Sequence, residues 1–320
     1  MITFFTTAKP FVGLTKIHQY NAIKSWKALH PQCDIILFGN GEGYETVVKD
    51  LGLYHVPNVA SSELGTPRID SMVSLAKQYG RNSIQAYVNC DVMLFPDFVT
   101  SIQRIYFSRF LFVGRRCNLD VDENVDCGDH TAAEWLKDRA RREGELFTAW
   151  GIDYFAYRGE VWGALPQMVV GRAGYDNWLV YRAMVNRVPV VDAGESVLAI
   201  HQNHDYSHLE GGERAVFESG CEVLNNFQLI GDRSNLFSLD DVDWQLTSRG
   251  IKRFWCKGDS KRCREVFQII HRDSKLCLLV VVGFVVEAYY EFRIRFSTSG
   301  FKRVNLLIKY IPWLARRLIK

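Results

Sequence analysis

The first candidate for chemistry is the pair Asn89 and Asp91. An apolar segment that is predicted to form a strand, Ser83–Phe95, carries this amide and this carboxylate into a polar turn. A carboxylate at the end of a parallel strand is well placed to hold Mg²⁺ or Mn²⁺, which take oxygen ligands and commonly bridge to phosphates. The alternative is an Asn/Asp pair that caps a turn. Two literal Asp-x-Asp triplets, 120–122 and 241–243, do not follow a buried strand and are interpreted as solvated loops.

Two further carboxylates lie beside glycine and aromatic residues. Asp176, in GRAGYDNW, falls where a loop is predicted to become a helix. A carboxylate there is expected to stay ionised near the positive helix end and to act as a base or an acceptor ligand, or simply as an N-cap. Asp153 follows Trp150 and Gly151. A Trp face can stack on a sugar ring and Gly allows a close backbone approach, although a strand edge packed on a core aromatic would look the same.

Three histidines, His201, His204 and His208, are spaced by three and four residues. Their polar neighbours favour a loop over a helix. One of them could complete a metal site built mainly of oxygens, whereas a zinc site lacks nearby cysteines and the His-Glu-x-x-His pattern. Surface histidines are the alternative. A nucleophilic pair of Cys90 with His201 is also conceivable, but nothing local marks the thiol as activated.

The elements around these residues alternate between strand and helix over the first 115 or so residues. Predicted strands at 2–7, 33–39, 83–95 and 110–114 are separated by segments with helical spacing. Such alternation predicts a mostly parallel sheet flanked by helices, with ligands bound outside the carboxyl ends of its strands. No P-loop and no Gly-x-Gly-x-x-Gly pattern occurs, which disfavours nucleoside triphosphate and dinucleotide binding.

Composition and charge narrow the class of protein. The chain has 320 residues, of which 48% are hydrophobic and 23% charged, which excludes a disordered chain, a coiled coil and a collagen-like repeat. The net charge of +3 is uneven, because residues 291–320 carry eight Lys or Arg and one Glu. A mildly acidic body with a basic tail does not suggest nucleic-acid binding, and it points instead to an anionic membrane surface.

The C-terminal region, residues 233–320, is expected to differ from the rest of the chain. Residues 276–286 form an uncharged stretch of eleven, well short of the ~20 needed to cross a bilayer. Residues 302–320 suit either an interfacial amphipathic helix or a helix docked on the body with a solvated basic face. We therefore predict a catalytic domain over 1–232 and a helical region with a basic tail over 233–320, with residues 275–320 as the membrane contact.

The N-terminal residues and the cysteines bear on location. Residues 1–13 show no signal-peptide pattern, and the eight cysteines form no Cys-x-x-Cys pair. The expectation is a cytoplasmic protein with reduced thiols, either free in the cytoplasm or peripheral on the inner face of a membrane.

Taken together, the order of these motifs resembles the GT-A fold glycosyltransferases, the nucleotide-diphospho-sugar transferase superfamily. The resemblance extends over roughly residues 1–230. The matching segments, in chain order, are FTTAKPF (5–11), NAIKSW (21–26), TPRIDSM (66–72), YVNCDVMLF (87–95), WGIDYFAY (150–157), GRAGYDNW (171–178) and AIHQNHDYSH (199–208). The resemblance implies a Rossmann-type α/β fold, a divalent metal (Mn²⁺ or Mg²⁺) and a nucleotide-diphosphate sugar as donor, with a glycan, lipid or protein as acceptor.

The same resemblance implies roles for individual residues. Asn89 and Asp91 resemble the metal motif, with Asn89 in place of its first acid, and His201 or His204 resembles the late metal ligand. Gly151 and Asp153 resemble the glycine loop and an acceptor-side carboxylate, and Asp176 the catalytic acid motif. The resemblance therefore implies that Asp176 and Asp153 are the catalytic residues and that Gly151 contacts the sugar-nucleotide donor. The residues that resemble nucleotide contacts are Thr6, Thr7, Arg68 and Asp70. Two other functions stay open: an inactive, membrane-attached module that binds sugar nucleotides, and a sugar-phosphate nucleotidyltransferase.

Overall fold

The computed structural model describes residues 1–204, 212–253 and 256–271. The chain divides into two compact units, Met1–Asp259 and Ser260–Lys320. In the second unit, one helix, α9 (Ser260–Ile270), lies among the described residues. The predicted membrane contact, 275–320, and His208 lie outside them.

Strands and helices alternate through the first half of the larger unit. Its strands are β1 (Ile2–Thr7), β2 (Asp34–Phe38), β3 (Tyr54–Val56), β4 (Ile84–Val88), β5 (Val92–Leu94), β6 (Phe110–Val113), β7 (Cys117–Leu119), β8 (Glu145–Leu146), β9 (Tyr154–Arg158), β10 (Val190–Asp192), β11 (Ala199–Gln202), β12 (Trp244–Thr247) and β13 (Gly250–Arg253). Its helices are α1 (Gly13–Leu29), α2 (Tyr44–Leu51), α3 (Ile69–Tyr79), α4 (Pro96–Gln103), α5 (His130–Glu143), α6 (Tyr175–Val185), α7 (Gly212–Phe217) and α8 (Cys221–Ile230).

A nine-stranded sheet in the order β13-β12-β10-β6-β9-β4-β1-β2-β3 forms the centre. Its neighbours pair in parallel except where β9 and β13 are involved. The prediction of an α/β fold with a mostly parallel sheet and flanking helices is therefore confirmed. The central strands β1, β2, β4, β6 and β9 are almost wholly buried, as is typical of a parallel sheet covered on both faces, whereas the edge strands β3 and β13 are partly exposed.

Alternating side chains of β1 show how the sheet is covered. Phe4 is fully buried and stacks on Trp26 of α1, with ring centroids 5.9 Å apart. Phe5 points to the opposite face and packs against Tyr87 and Tyr157. The Trp26 indole also donates a hydrogen bond to the Val92 carbonyl oxygen (2.9 Å), which anchors α1 to the segment that follows Asp91.

A second sheet has the strand order β5-β11-β7-β8. Its strand β5 follows the carboxyl end of β4 in the chain. Its strand β11 runs antiparallel to β5, with His201 opposite Val92, and parallel to β7. This pairing carries residues around 201 next to the turn that holds Asp91, across 110 positions of sequence.

The segment after residue 232 differs from the helical region that we predicted. Residues 244–253 form β12 and β13, an antiparallel hairpin that extends the large sheet through the pairing of β12 with β10. Ser248 and Arg249 lie between the two strands, and Gly250, the first residue of β13, has φ +123°. The functional boundary at residue 232 stays a prediction. No helix within the described part of the chain combines the length and the apolar character that crossing a bilayer requires.

Candidate active site

Asp91, His201 and His204 meet at the carboxyl end of β4. The Nε2 atom of His204 lies 3.1 Å from Asp91 Oδ2, and the Nε2 atom of His201 lies 4.0 Å from the same oxygen. One ligand atom from each of the three side chains falls within 4.8 Å of the others. Asp91 follows β4, His201 belongs to β11 and His204 follows β11, so the β5–β11 pairing assembles the cluster.

The charge state of this cluster suits a cation. Burial by itself would raise the pKa of Asp91, but His201, the hydrogen bond from His204 and the positive charge of Lys9 outweigh it and hold the pKa well below its usual range. Burial lowers the pKa of His201, which favours the neutral imidazole that binds metals. Asp91 Oδ1 and His201 Nδ1 are buried and have no hydrogen-bond partner among the described residues. An ionised carboxylate and two imidazoles therefore fit a divalent ion such as Mn²⁺.

Asn89 forms hydrogen bonds with groups outside the Asp91, His201 and His204 cluster. Its side-chain amide donates to Asp153 Oδ1 (2.7 Å), and its Oδ1 accepts hydrogen bonds from the hydroxyls of Tyr87 (2.9 Å) and Tyr175 (3.3 Å). Its backbone N–H donates to the Asp153 carbonyl oxygen (2.9 Å). The amide is thus committed to neighbouring protein groups. Its role as a metal ligand stays a prediction.

Asp153 forms a buried ion pair that sequence reasoning missed. Arg116 Nη1 lies 2.8 Å from Asp153 Oδ2, and the guanidinium lies over the Phe147 ring at 4.2 Å from its centroid. Both oxygens of this carboxylate therefore accept hydrogen bonds. The signal for Arg116 was available, because it follows the carboxyl end of β6, where a parallel sheet places its ligand-binding residues.

Gly151 lies in the loop that leads to Asp153. A Cβ at this position would overlap the Phe147 ring, so only glycine allows the backbone to pass there. Trp150, its neighbour, has half of its surface exposed (51%), and its carbonyl oxygen accepts a hydrogen bond from the Asn177 side chain (3.3 Å). The Trp-Gly pair thus connects the Asp153 loop to the first turn of α6. Gly151 as a cofactor contact stays a prediction.

Asp176 is the second residue of α6, and Gly174, with φ +96°, is the N-cap. We expected the helix end to keep this carboxylate ionised. Instead, burial and the negative charge of Asp153 raise its pKa to about 7, although the Asn177 backbone N–H and Arg116 oppose the shift. The helix end is therefore the weaker influence. Asp176 accepts its 2.9 Å hydrogen bond from the adjacent Asn177 N–H, so it does not act as the N-cap.

The predicted nucleotide contacts have partners within the protein. The Thr6 hydroxyl is buried and donates to the Val88 carbonyl oxygen (2.7 Å), which joins the ends of β1 and β4. Thr7 comes next, at the carboxyl end of β1. Arg68 and Asp70 form a two-bond ion pair with each other (3.1 and 2.6 Å) at the start of α3. The described contacts do not bring these residues into the metal cluster, and their roles stay predictions.

The competing candidates are explained by other interactions. Burial raises the pKa of the Cys90 thiol far above its ordinary value, which opposes a nucleophilic role. Asp120 accepts a hydrogen bond from the Asn203 side chain (2.8 Å) on the surface. We predicted a solvated loop at Asp241, and this prediction is wrong. Asp241 is buried, and it accepts a hydrogen bond from the Ser238 N–H (2.8 Å) in a tight turn.

No protein-family model matches the chain, and no curated protein matches it. Among solved structures, glucosyl-3-phosphoglycerate synthase from Mycobacterium tuberculosis in complex with Mg²⁺ and UDP shares 15% identity, with 73% of this chain and 81% of that chain covered and a TM-score of 0.41. The mannosyltransferase PcManGT from Pyrobaculum calidifontis, in complex with GDP-Man and Mn²⁺, shares 9% identity over 62% and 56% of the two chains, with a TM-score of 0.39.

S. aureus TarS 1-349 in complex with UDP shares 9% identity, and the chain spans little more than a third (36%) of that protein, with a TM-score of 0.28. With TM-scores this low, these likenesses do not identify a family or an activity for this chain.

Proposed function

We propose that the protein is a glycosyltransferase that moves a sugar from a nucleotide-diphosphate donor to an acceptor hydroxyl with the help of a divalent ion. The observation that carries the proposal is the Asp91, His201 and His204 cluster at the carboxyl end of a parallel strand. That edge of the sheet is where α/β proteins bind nucleotides. The motif order over residues 1–230, which resembles GT-A enzymes, supports the same activity.

Asp91, His201 and His204 would hold the ion. When bound, a divalent ion supplies positive charge against the diphosphate as the bond to the sugar breaks. Two other features near the ion contribute to the site. The Asp153–Arg116 pair is mostly buried and balanced in charge, and both of its members act electrostatically on His201. The exposed ring of Trp150 offers a flat apolar face that suits a sugar.

Asp176 is the proposed base for an inverting reaction. Its carboxylate takes the proton of the acceptor hydroxyl while that oxygen bonds to the anomeric carbon and the electron pair of the broken C–O bond leaves with the diphosphate. Asp153, which we had paired with it, is less suited to this step because both of its oxygens already accept hydrogen bonds. We therefore propose that Asp176 accepts the proton and that Asp153 holds the Arg116 guanidinium in place.

The test is thermal unfolding of the protein with UDP, GDP or CMP, each with and without Mn²⁺. A nucleotide at a hundredfold excess over its Kd stabilises the native state by about 2.7 kcal/mol, which raises Tm by about 4–5 °C in a chain of this size. We expect one nucleotide to give this shift only with Mn²⁺. Asp91→Asn should abolish it, whereas Asp138→Asn, an exposed carboxylate on α5, should not.

A second measurement separates an enzyme from a binding module. Release of the free nucleotide from the matching nucleotide sugar should occur with the native protein and be lost in Asp176→Asn. Absence of any metal-dependent shift would contradict the proposed donor site. A metal-dependent shift without turnover in the presence of candidate acceptors would instead favour the inactive binding module.

A further inference from the structure

We infer that Asn89 is a positioning residue, which holds Asp153 and Tyr175 in register beside the metal cluster, and that it is not itself a ligand. The inference rests on the proposed function, because that function defines what the site does. The evidence for the role of Asn89 itself is its set of hydrogen bonds. Those bonds use one backbone N–H, the side-chain amide N–H and the side-chain oxygen.

An amide can make this set of bonds, and an ionised carboxylate cannot. The Asn89 side chain donates to a carboxylate, Asp153 Oδ1, and at its other end accepts from two tyrosine hydroxyls. An ionised aspartate has no proton to donate, and at position 89 it would place a second negative charge within about 3 Å of Asp153. A metal ion on the Asn89 oxygen would compete with the hydroxyls of Tyr87 and Tyr175, which are themselves buried.

The bonds of Asn89 link the elements that carry the site. Asn89 follows β4, Asp153 precedes β9, and Tyr175 is the first residue of α6, directly before Asp176. Through Asp153, the link continues to Arg116 after β6. Asn89 therefore sets how the first turn of α6, with Asp176, lies against the strand end that carries Asp91. This accounts for an amide where the resembling motif has an acid.

Metal titration distinguishes a positioning residue from a ligand. We expect the Mn²⁺ Kd of Asn89→Ala, measured by isothermal titration calorimetry, to stay within threefold of the native value, while Asp91→Asn weakens it more than tenfold. For the donor found in the nucleotide screen, kcat of Asn89→Ala should fall at least tenfold at constant KM, in protein shown to be folded. A loss of Mn²⁺ affinity in Asn89→Ala equal to that of Asp91→Asn would overturn the inference.

An exchange of the two side chains tests the inference without any ligand. Asn89→Asp should lower Tm, because two carboxylates then face each other. The double variant Asn89→Asp/Asp153→Asn restores one donor and one acceptor in reverse order. Because Asp153→Asn also removes the charged partner of Arg116, single Asp153→Asn is the matched control, and we expect the double variant to recover part of the Tm that the two single variants together would lose. A double variant whose loss of Tm equals or exceeds the sum of the two single losses would overturn the inference.

The binding measurements and the side-chain exchange test different claims, so one can fail without the other. If the native protein binds no Mn²⁺ and no nucleotide, the proposed function is wrong, but the exchange still tests whether Asn89 and Asp153 act as a pair. If metal binds and the double variant gives no recovery, the proposed function stands and the positioning role does not.

Discussion

At the scale of single residues, the protonation of Asp176 is the feature with the most direct consequence for activity. Its pKa of about 7 means that roughly half of the molecules carry the ionised base at neutral pH. Because a base must be ionised to accept a proton, we expect turnover to rise about tenfold between pH 6 and pH 8 and then to level off. The measurement is kcat against pH. Asp176→Asn should lower kcat by a hundredfold or more, and a native profile that falls over this range would contradict the assignment.

The same shift gives a stability prediction with a defined sign. The folded protein keeps a proton on Asp176 between about pH 4 and pH 7, where the unfolded chain has released it. This contribution to stability is fully present below about pH 4, and it is lost progressively as pH rises to about 7. We expect Asp176→Asn to gain more Tm relative to the native protein at pH 8 than at pH 5. An equal gain at both values would show that the asparagine acts by packing alone.

The donor set of the cluster predicts which ion is preferred. Two imidazoles and one carboxylate suit Mn²⁺ and later transition metals better than Mg²⁺, which favours oxygen ligands. We expect Mn²⁺ to bind at least tenfold more tightly than Mg²⁺ in direct calorimetric titrations. His204→Ala should reduce the affinity for Mn²⁺ far more than that for Mg²⁺. Equal affinities in the native protein would indicate a site dominated by oxygen ligands.

At the scale of elements, the start of α6 depends on a glycine. Gly174 has φ +96°, and a Cβ there would lie 2.7 Å from Ile230 of α8. Gly171, in the same loop, has φ +66° with no atom within 4 Å of an added Cβ. We expect Gly171→Ala to cost about 1 kcal/mol of unfolding free energy from backbone strain. Gly174→Ala should cost about 2–4 kcal/mol because overpacking is added.

Urea unfolding checks this comparison, and Gly171→Ala is its matched control. Because Gly174 caps the helix that carries Asp176, Gly174→Ala should also alter the pH profile of turnover, whereas Gly171→Ala should leave it unchanged. Equal losses of stability in the two variants would show that Ile230 moves aside without cost.

At the scale of the whole molecule, all of the candidate site residues lie in the unit Met1–Asp259. This unit contains both sheets and the apolar core clusters. We therefore expect a fragment of residues 1–259 to unfold cooperatively and to bind Mn²⁺ within twofold of the full chain. A fragment that binds no metal would show that residues 260–320 are needed for the site.

The basic tail predicts that the full chain and the 1–259 fragment also differ in membrane binding. The full chain should cosediment with vesicles that contain phosphatidylserine, less so as salt is raised, because apolar residues alternate with Lys and Arg in residues 302–320. The 1–259 fragment should stay in solution. Equal cosedimentation of the two would contradict the assignment of residues 275–320 as the membrane contact.

The sequence by itself determined the alternation of elements and the strand end that carries Asp91. Apolar runs such as Ile2–Thr7 and Ile84–Val88 become parallel strands because local pattern and propensity agree with the final fold. The edge of the sheet where ligands bind follows from that alternation, so Asp91 and Asp176 could be found without coordinates.

Only the tertiary structure decided which groups meet and which of them are charged. The contact of His201 with Asp91 depends on the β5–β11 pairing, and no local pattern encodes a pairing across that distance. Arg116 neutralises Asp153, and Asn89 is engaged by two tyrosines, because side chains from β4, β6, β9 and α6 converge. Burial then raises the pKa of Asp176 against the helix end. Desolvation and pair energies depend on three-dimensional distances, and spacing along the chain does not supply them.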